Sequence, residues 1–504
     1  MISFTIALLA LVAGYFFYGK FVERVFGPNP KHVTPAITKA DGVDYMVLPT
    51  WKIFMIQFLN IAGTGPIFGA IMGMWFGTSA YLWIVFGCIF AGATHDYLSG
   101  MLSLHHNGAG LPNLVGFYLG KRIKNVMLIF SVLLLIMVGA VFVYSPAIIL
   151  QGIWGSQMLW IVVIFIYYII ATMLPVDKII GKIYPLFAFS LIFMAVALMI
   201  GLYVKQPVLP ELWDGMQNLG AEKWGRTEHI FPALFITIAC GAISGFHATQ
   251  SPLMARCMKS ETMGRPIFYG SMITEGIVAL IWATISSYFF YAEGWREVCS
   301  PEVVQSVEDA MSQGTTLDKL FAAPKVVMNV CNGWLGVAGG ILALLGVVAA
   351  PITSGDTALR SARLIIGEYL HLNQKPIRNR LAICIPLFAV TMAMLIWQIS
   401  DPNGFNTIWN YFGWANQSLS IFTLWTLSAY LVRQRRNYWV TTIPALFMVL
   451  VCTTFILESK QGFAIEGEFP VILGFAAAIG CLLYFMNWKR TRAKKFMKRV
   501  KKHA

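Results

Sequence analysis

Ile61-Ala-Gly-Thr-Gly-Pro66 and Cys240-Gly-Ala-Ile-Ser-Gly-Phe-His247 decide how this chain is read. Each is a glycine-rich turn in the middle of an apolar stretch. Hydrocarbon offers a backbone amide no partner, so a membrane helix unwinds only where protein or a water-lined cavity satisfies it. Paired interruptions in corresponding halves of a chain mark the binding site of a secondary transporter.

The rest of the sequence agrees with a membrane setting. Of 504 residues, 58% are hydrophobic and 12% charged, with a mean hydropathy of +0.68. Soluble domains carry about 25% charged residues, so an all-α polytopic membrane protein is expected. The first apolar stretch, from Ile2 to Tyr18, lacks a charged n-region and a cleavage site, and reads as a retained span. The net charge of +14 does not point to nucleic acid, because nine of the cations lie between Lys489 and Lys502 with no acid among them. A juxtamembrane basic run of this kind faces anionic lipid. The eight cysteines show no CxxC and no zinc-type spacing, and no cofactor is expected. Most read as small buried apolar side chains. Cys299 and Cys331 fall near the ends of one loop, 292–332, where a disulfide is one reading.

About thirteen spans of roughly 20 residues can be placed: near 2–19, 53–77, 79–103, 125–144, 158–174, 183–203, 230–249, 266–291, 333–353, 381–399, 407–432, 439–457 and 469–488. Loops with a basic excess (20–52, 104–124, 175–182, 250–265, 354–380, 433–438 and the tail) alternate with neutral or acidic ones (145–157, 204–229, 292–332, 400–406 and 458–468). The positive-inside rule then puts the N-terminus outside and the C-terminus in the cytoplasm. On that count the first break lies in an outward-running second span and the second break in an inward-running seventh. Spans 2–6 and 7–11 become two five-helix repeats of inverted topology. The whole of 1–504 reads as one transporter domain: an added helix and loop (1–52), a first repeat (53–203), a second repeat (230–432), two further helices (439–488) and a basic tail (489–504).

In the first break, Gly63 and Gly65 are free to take positive φ, and Pro66 suits the first turn of a resumed helix. Such an N-terminus presents free amides and partial positive charge to a carboxylate. Gln57, Asn60 and Thr64 add polar groups on neighbouring turns. In the second break, Ser244, Gly245, Phe246 and His247 stand where the span should still be crossing. These ten residues are the expected substrate contacts. The plain alternative is packing glycines, a kink and a histidine bonded to the main chain.

The ninth span ends in Ala349-Ala-Pro-Ile-Thr-Ser-Gly-Asp356. Ala350, Thr353 and Ser354 share a face, and with carbonyls of the first break they make an all-oxygen site fit for Na⁺. Asp356 is the carrier if the coupling ion is H⁺. Otherwise it simply caps a helix over 356–371. His95-Asp96, at the end of the third span, reads as a gate or proton relay, or as an interfacial pair. Glu275 lies about ten residues inside an apolar segment, where a lone carboxylate is costly and functional by default. Trp397, Trp409 and Trp439 read as interface anchors.

At these residues the chain resembles the carbon starvation protein A family. The matching segments are Asp41-Gly-Val-Asp-Tyr45, Ile61 to Pro66, Gly92-Ala-Thr-His-Asp96 with Asn107-Gly108, Ser244-Gly-Phe-His-Ala248, Thr353 with Asp356 and Arg360, and Phe405-Asn-Thr-Ile-Trp409 through Asn416-Gln417. The resemblance implies cation-driven uptake of small peptides or pyruvate across a bacterial inner membrane during nutrient limitation. It also implies a LeuT-like (APC-type) core. The chain departs from longer members, which carry a His-His pair before the first break where this sequence has Ile56-Gln57-Phe58. The expected activity is thus a symporter with H⁺ or Na⁺ as coupling ion, a peptide or pyruvate as substrate, and lipid as surroundings. An intramembrane enzyme using His247 and Ser251, or a nutrient sensor, are the alternatives.

Overall fold

The computed structural model describes residues 1–40, 45–173, 180–372, 376–401 and 404–503, with side chains from 492 onward left aside. Asp41 to Asp44 of the family-like motif, and most of the 175–182 loop, fall outside the described residues. Every described element is a helix. Eight of them are long and apolar enough to cross a membrane, and a ninth crossing is the bent pair Thr50–Ala62 and Gly65–Phe76. The chain is a multi-pass membrane protein.

Other segments expected as spans are helical but are not single long apolar helices. The 79–103 segment runs as Ser79–Leu82, a wide π-helical stretch Trp83–Gly92 and Ala93–His105. The 230–249 segment is split. Gln157–Met173 is short, and Gly404–Arg433 carries polar residues through its middle. Outward faces are apolar, with Ile129, Leu186, Ile385 and Leu483 each more than 60% exposed. Polar side chains gather inside instead, which is the pattern that a hydrocarbon solvent selects.

The loops sort by charge in space. Met1 and the amides of Ile2 and Ser3 meet Glu211, Lys205 meets Glu297 and Arg226 meets Asp318 at 3.0 Å. These contacts join the 204–229 and 292–332 loops with the start of the chain. On the other side, Glu261 meets His32 and His105, Arg256 donates to the Gly108 carbonyl and Lys489 to the Tyr438 hydroxyl. The 20–52, 104–124 and 250–265 loops therefore lie together, and the 433–438 loop lies against the tail.

Two local expectations are corrected. The 292–332 loop is itself helical over Pro301–Ser312, and Cys331 lies inside the helix Ala323–Tyr369. Cys299 and Cys331 are separate buried thiols with no bond between them, and burial pushes Cys299 up to about 11. The helix Ala323–Tyr369 also passes through 353–356 without a stop, its only non-helical residue being Gly336 (φ 64°). Asp356 is therefore not an N-cap. Gly355 lets the continuous helix lie against Tyr168, whose hydroxyl would stand 2.1 Å from an added Cβ.

Candidate functional site

The first break follows from glycine geometry. Gly63 takes φ 22° and ψ −144°, a conformation closed to other residues, and the chain resumes at Gly65 bent by 53°. Gly65 serves a different purpose, close approach. A Cβ there would lie 2.3 Å from Cys240 Sγ and 2.4 Å from Cys240 Cβ. The two breaks therefore touch.

The second break leaves 238–246 non-helical between Ile230–Thr237 and His247–Ala255. Its open main-chain groups find partners on neighbouring helices. Trp83 Nε1 donates to the Ile238 carbonyl (2.9 Å) and Gln417 Nε2 to that of Phe235 (3.0 Å). Asn416 Oδ1 accepts from the Phe246 amide (2.8 Å) and the Ser244 hydroxyl (3.1 Å). The Gly245 amide donates to the Asn416 carbonyl. Across at the first break, the Ser354 hydroxyl lies 3.3 Å from each of the Leu59 and Asn60 carbonyls. Protein thus supplies what hydrocarbon does not.

Beside the breaks runs a chain of four ionisable side chains, each 0% exposed. Asp96 accepts from His95 Nδ1 at 2.7 Å through one oxygen and from His247 Nδ1 at 2.8 Å through the other. His247 Nε2 faces Glu275 Oε2 at 3.5 Å, which is outside hydrogen-bond reach. Neither Glu275 oxygen has a hydrogen-bond partner among the described residues. Cys240 Sγ, a His247 ring nitrogen and a Glu275 oxygen all lie within 4.8 Å of one another, close enough to share a single small ion. His95-Asp96 is therefore not an interfacial pair. Its helix continues to His105, which carries both residues well below the surface.

Gln57, Asn60 and Thr64 are fully buried, and their side-chain polar atoms have no protein partner among the described residues. Unmet polar groups of this kind are costly unless something else bonds them. They stand on the helix Thr50–Ala62 and its break, packed against the helix that begins at His247.

The expected ion residues are partly drawn in. Ser354 reaches the first break as described. The Thr353 hydroxyl turns back to its own helix, 2.9 Å from the Ala349 and Ala350 carbonyls. Asp356 pairs with Arg360 at 3.6 Å. Arg360 and Arg363 in turn hold the carbonyls of Ala171 and Thr172, which locks the end of Gln157–Met173 in place. The Ser251 hydroxyl bonds the His247 carbonyl rather than the imidazole, so no nucleophile–base pair forms.

Trp409 is not an interface anchor. It is 3% exposed and packs on Phe68, Phe405 and Phe412 beside the first break. Trp397 and Trp439 are about 40% exposed, as anchors would be. Asn416, which ties the second break in place, had no role assigned from sequence. Its signal was an Asn-Gln pair midway along an apolar helix.

The family model described as carbon starvation protein CstA matches residues 1–150 and 143–455. The chain belongs to the CstA family. A membrane protein of Haemophilus influenzae is 43% identical over 369 residues, 64% of this chain and 96% of that one. Two Escherichia coli relatives are 24% identical: the peptide transporter CstA, over 91% of this chain and 82% of its own, and the pyruvate/proton symporter BtsT, over 89% and 80%. The two Escherichia coli relatives are transporters and not enzymes. Among solved structures, the manganese transporter of Eremococcus coleocola aligns over 91% of this chain and 99% of its own, with a TM-score of 0.51 and 13% identity. That likeness concerns the fold alone.

Proposed function

We propose that this CstA-family protein is a proton-coupled importer of a small carboxylate, pyruvate or a short peptide, drawn on when carbon is scarce. The observation that carries the reading is the buried chain His95–Asp96–His247–Glu275 at the second break. The gap between His247 Nε2 and Glu275 closes to charge-assisted hydrogen-bond length, about 2.7–2.9 Å, with a small movement. One proton can then be shared or passed where the two breaks meet. Gln57, Asn60 and Thr64, together with the amides at Gly63 and Gly65 and the turn at Pro66, bind the substrate's polar groups. Ser244, Gly245, Phe246 and His247 close the opposite side.

In this reading the expected count of thirteen spans and the LeuT-like 5+5 inverted repeat hold, with the basic-loop face cytoplasmic. Rocking of one repeat against the other exposes the centre alternately. A second reading, Na⁺ coupling, is favoured by the Ser354 hydroxyl beside the Leu59 and Asn60 carbonyls, an oxygen cluster suited to a hard cation.

The test is counterflow and uptake in proteoliposomes with pyruvate, amino acids and dipeptides, run with a pH gradient and then with a Na⁺ gradient. Proton coupling predicts uptake driven by an inward pH gradient without Na⁺ and lost in His247→Ala. Uptake that needs Na⁺ and is lost in Ser354→Ala or Thr353→Ala favours the second reading. Accumulation of none of these solutes under either gradient overturns both.

A further inference from the structure

We propose that His32, His105 and Glu261 form a binding site for a divalent transition ion of the zinc class on the basic-loop face. The three donors converge on one point. His32 Nδ1 lies 2.6 Å and His105 Nε2 2.7 Å from the same oxygen, Glu261 Oε1. All three ligand atoms fall within 4.8 Å of one another. Two imidazoles and one carboxylate, with further positions left to water, are a common protein ligand set for zinc.

The surroundings support such a centre. Glu261 is 1% exposed, and its other oxygen is fixed by the Asn29 amide at 2.6 Å. The far nitrogen of His105 faces the Tyr430 hydroxyl at 3.3 Å. Outer contacts of this type orient metal-binding carboxylates and imidazoles. Each histidine nitrogen that now points at Glu261 is a donor. Moving its proton to the ring's other nitrogen frees a lone pair for an ion. For His105 that proton meets Tyr430, and for His32, whose side chain is 41% exposed, it meets solvent. A cavity of about 570 Å³ opens over the three residues, giving an entry path and room for bound water.

The ligands come from three separate parts of the fold. His32 is on the loop after Tyr18–Phe26, and His105 ends the helix that carries His95 and Asp96. Glu261 begins the helical run that reaches Glu275. An ion held here ties together two of the helices bearing the buried ionisable chain, and so acts as a brake on their separation. That consequence rests on the proposed transport function, whereas binding of the ion does not.

Titration calorimetry of the full-length protein in detergent, stripped with chelator and then given Zn²⁺, tests the site. Saturable one-to-one binding is expected. His32→Ala and His105→Ala should each weaken it by more than about tenfold, the lower end even for supporting residues. Cys240→Ser, at the other cluster of potential ligands, should leave it unchanged. Because His32 is exposed, its replacement reads out binding without disturbing the fold. Absence of saturable binding, its survival in both histidine variants, or its loss in Cys240→Ser overturns the proposal. In proteoliposomes, Zn²⁺ on the basic-loop face should slow uptake by the wild type and not by His32→Ala. Intact binding without that difference overturns the brake and leaves the site standing.

Discussion

His247 and Asp96 are separated by 151 residues of chain and 2.8 Å of space, both wholly buried. The contact joins the second break to the helix Ala93–His105, and Asp96 extends it to His95 on its other oxygen. Removing one member of such a group leaves the others charged or unpaired in a low-dielectric interior. That costs about 3–5 kcal/mol.

Asp96→Asn should therefore lower the thermal midpoint markedly, because it withdraws a charge that two imidazoles share. Glu275→Gln should not, since neither Glu275 oxygen accepts a hydrogen bond among the described residues. It should instead abolish uptake driven by a pH gradient while leaving substrate exchange in counterflow. Equal loss of both transport modes in a well-folded Glu275→Gln protein would contradict the assigned role.

Contact between the two breaks can be tested by steric exchange. Gly65→Ala puts a methyl group within 2.4 Å of Cys240 Cβ, and overpacking of this order costs about 1–3 kcal/mol. Uptake should fall at least tenfold. The double variant Gly65→Ala with Cys240→Gly removes the clashing atoms from the partner and should recover much of it. A strictly additive loss in the double variant would show that the pair does not communicate.

Asn416 is predicted to be a structural keystone of the second break. Asn416→Ala leaves the Phe246 amide and Ser244 hydroxyl without their acceptor. Each stranded buried donor costs about 1–3 kcal/mol. Asn416→Asp keeps the acceptor oxygen and should be the milder change in thermal unfolding. The reverse order would point to the Asn416 amide nitrogen, 3.5 Å from Cys240 Sγ, as the group that matters.

Glu211 gives a pH dependence outside the spans. Burial raises its pKa, but hydrogen bonds from the Met1 amino group, from Ser3 and from the Ile2 amide outweigh it and hold the pKa at about 2. A depressed carboxyl stabilises the fold above its unfolded value, and that contribution drains away as pH falls toward the folded one. Docking of Ile2–Phe16 onto the 204–229 loop should therefore loosen between about pH 4.5 and 2. Limited acid proteolysis near the N-terminus reads this out, and Glu211→Gln should remove the pH dependence.

Much of the site was legible because membrane solvent makes polarity conspicuous. Gly63, Gly65 and His247 stand out in apolar surroundings, and Glu275 is an isolated carboxylate in its helix. The misreadings have a shared cause. Trp409 reads as an anchor, and His95-Asp96 as an interfacial pair beside its gate or relay reading, because hydropathy measures distance from a span's end along the chain, not depth in the protein. The π-helical Trp83–Gly92 and the run on to His105 shift that depth. A cap is one of two sequence readings of Asp356, beside that of an ion carrier, because a helix end is expected just before it. Tyr168 and Ser354 show instead a helix held continuous by its neighbours.

The solvent, the helical class and the places where helices must open follow from the order of residues alone, since unmet amides and buried charges are penalised locally wherever they occur. Which opened segments meet, and which ionisable groups pair across them, is settled by the packing of the helices in three dimensions. Asp96, His247 and Glu275 become one chain solely through packing of helices remote in sequence, and no local propensity encodes a distance between them.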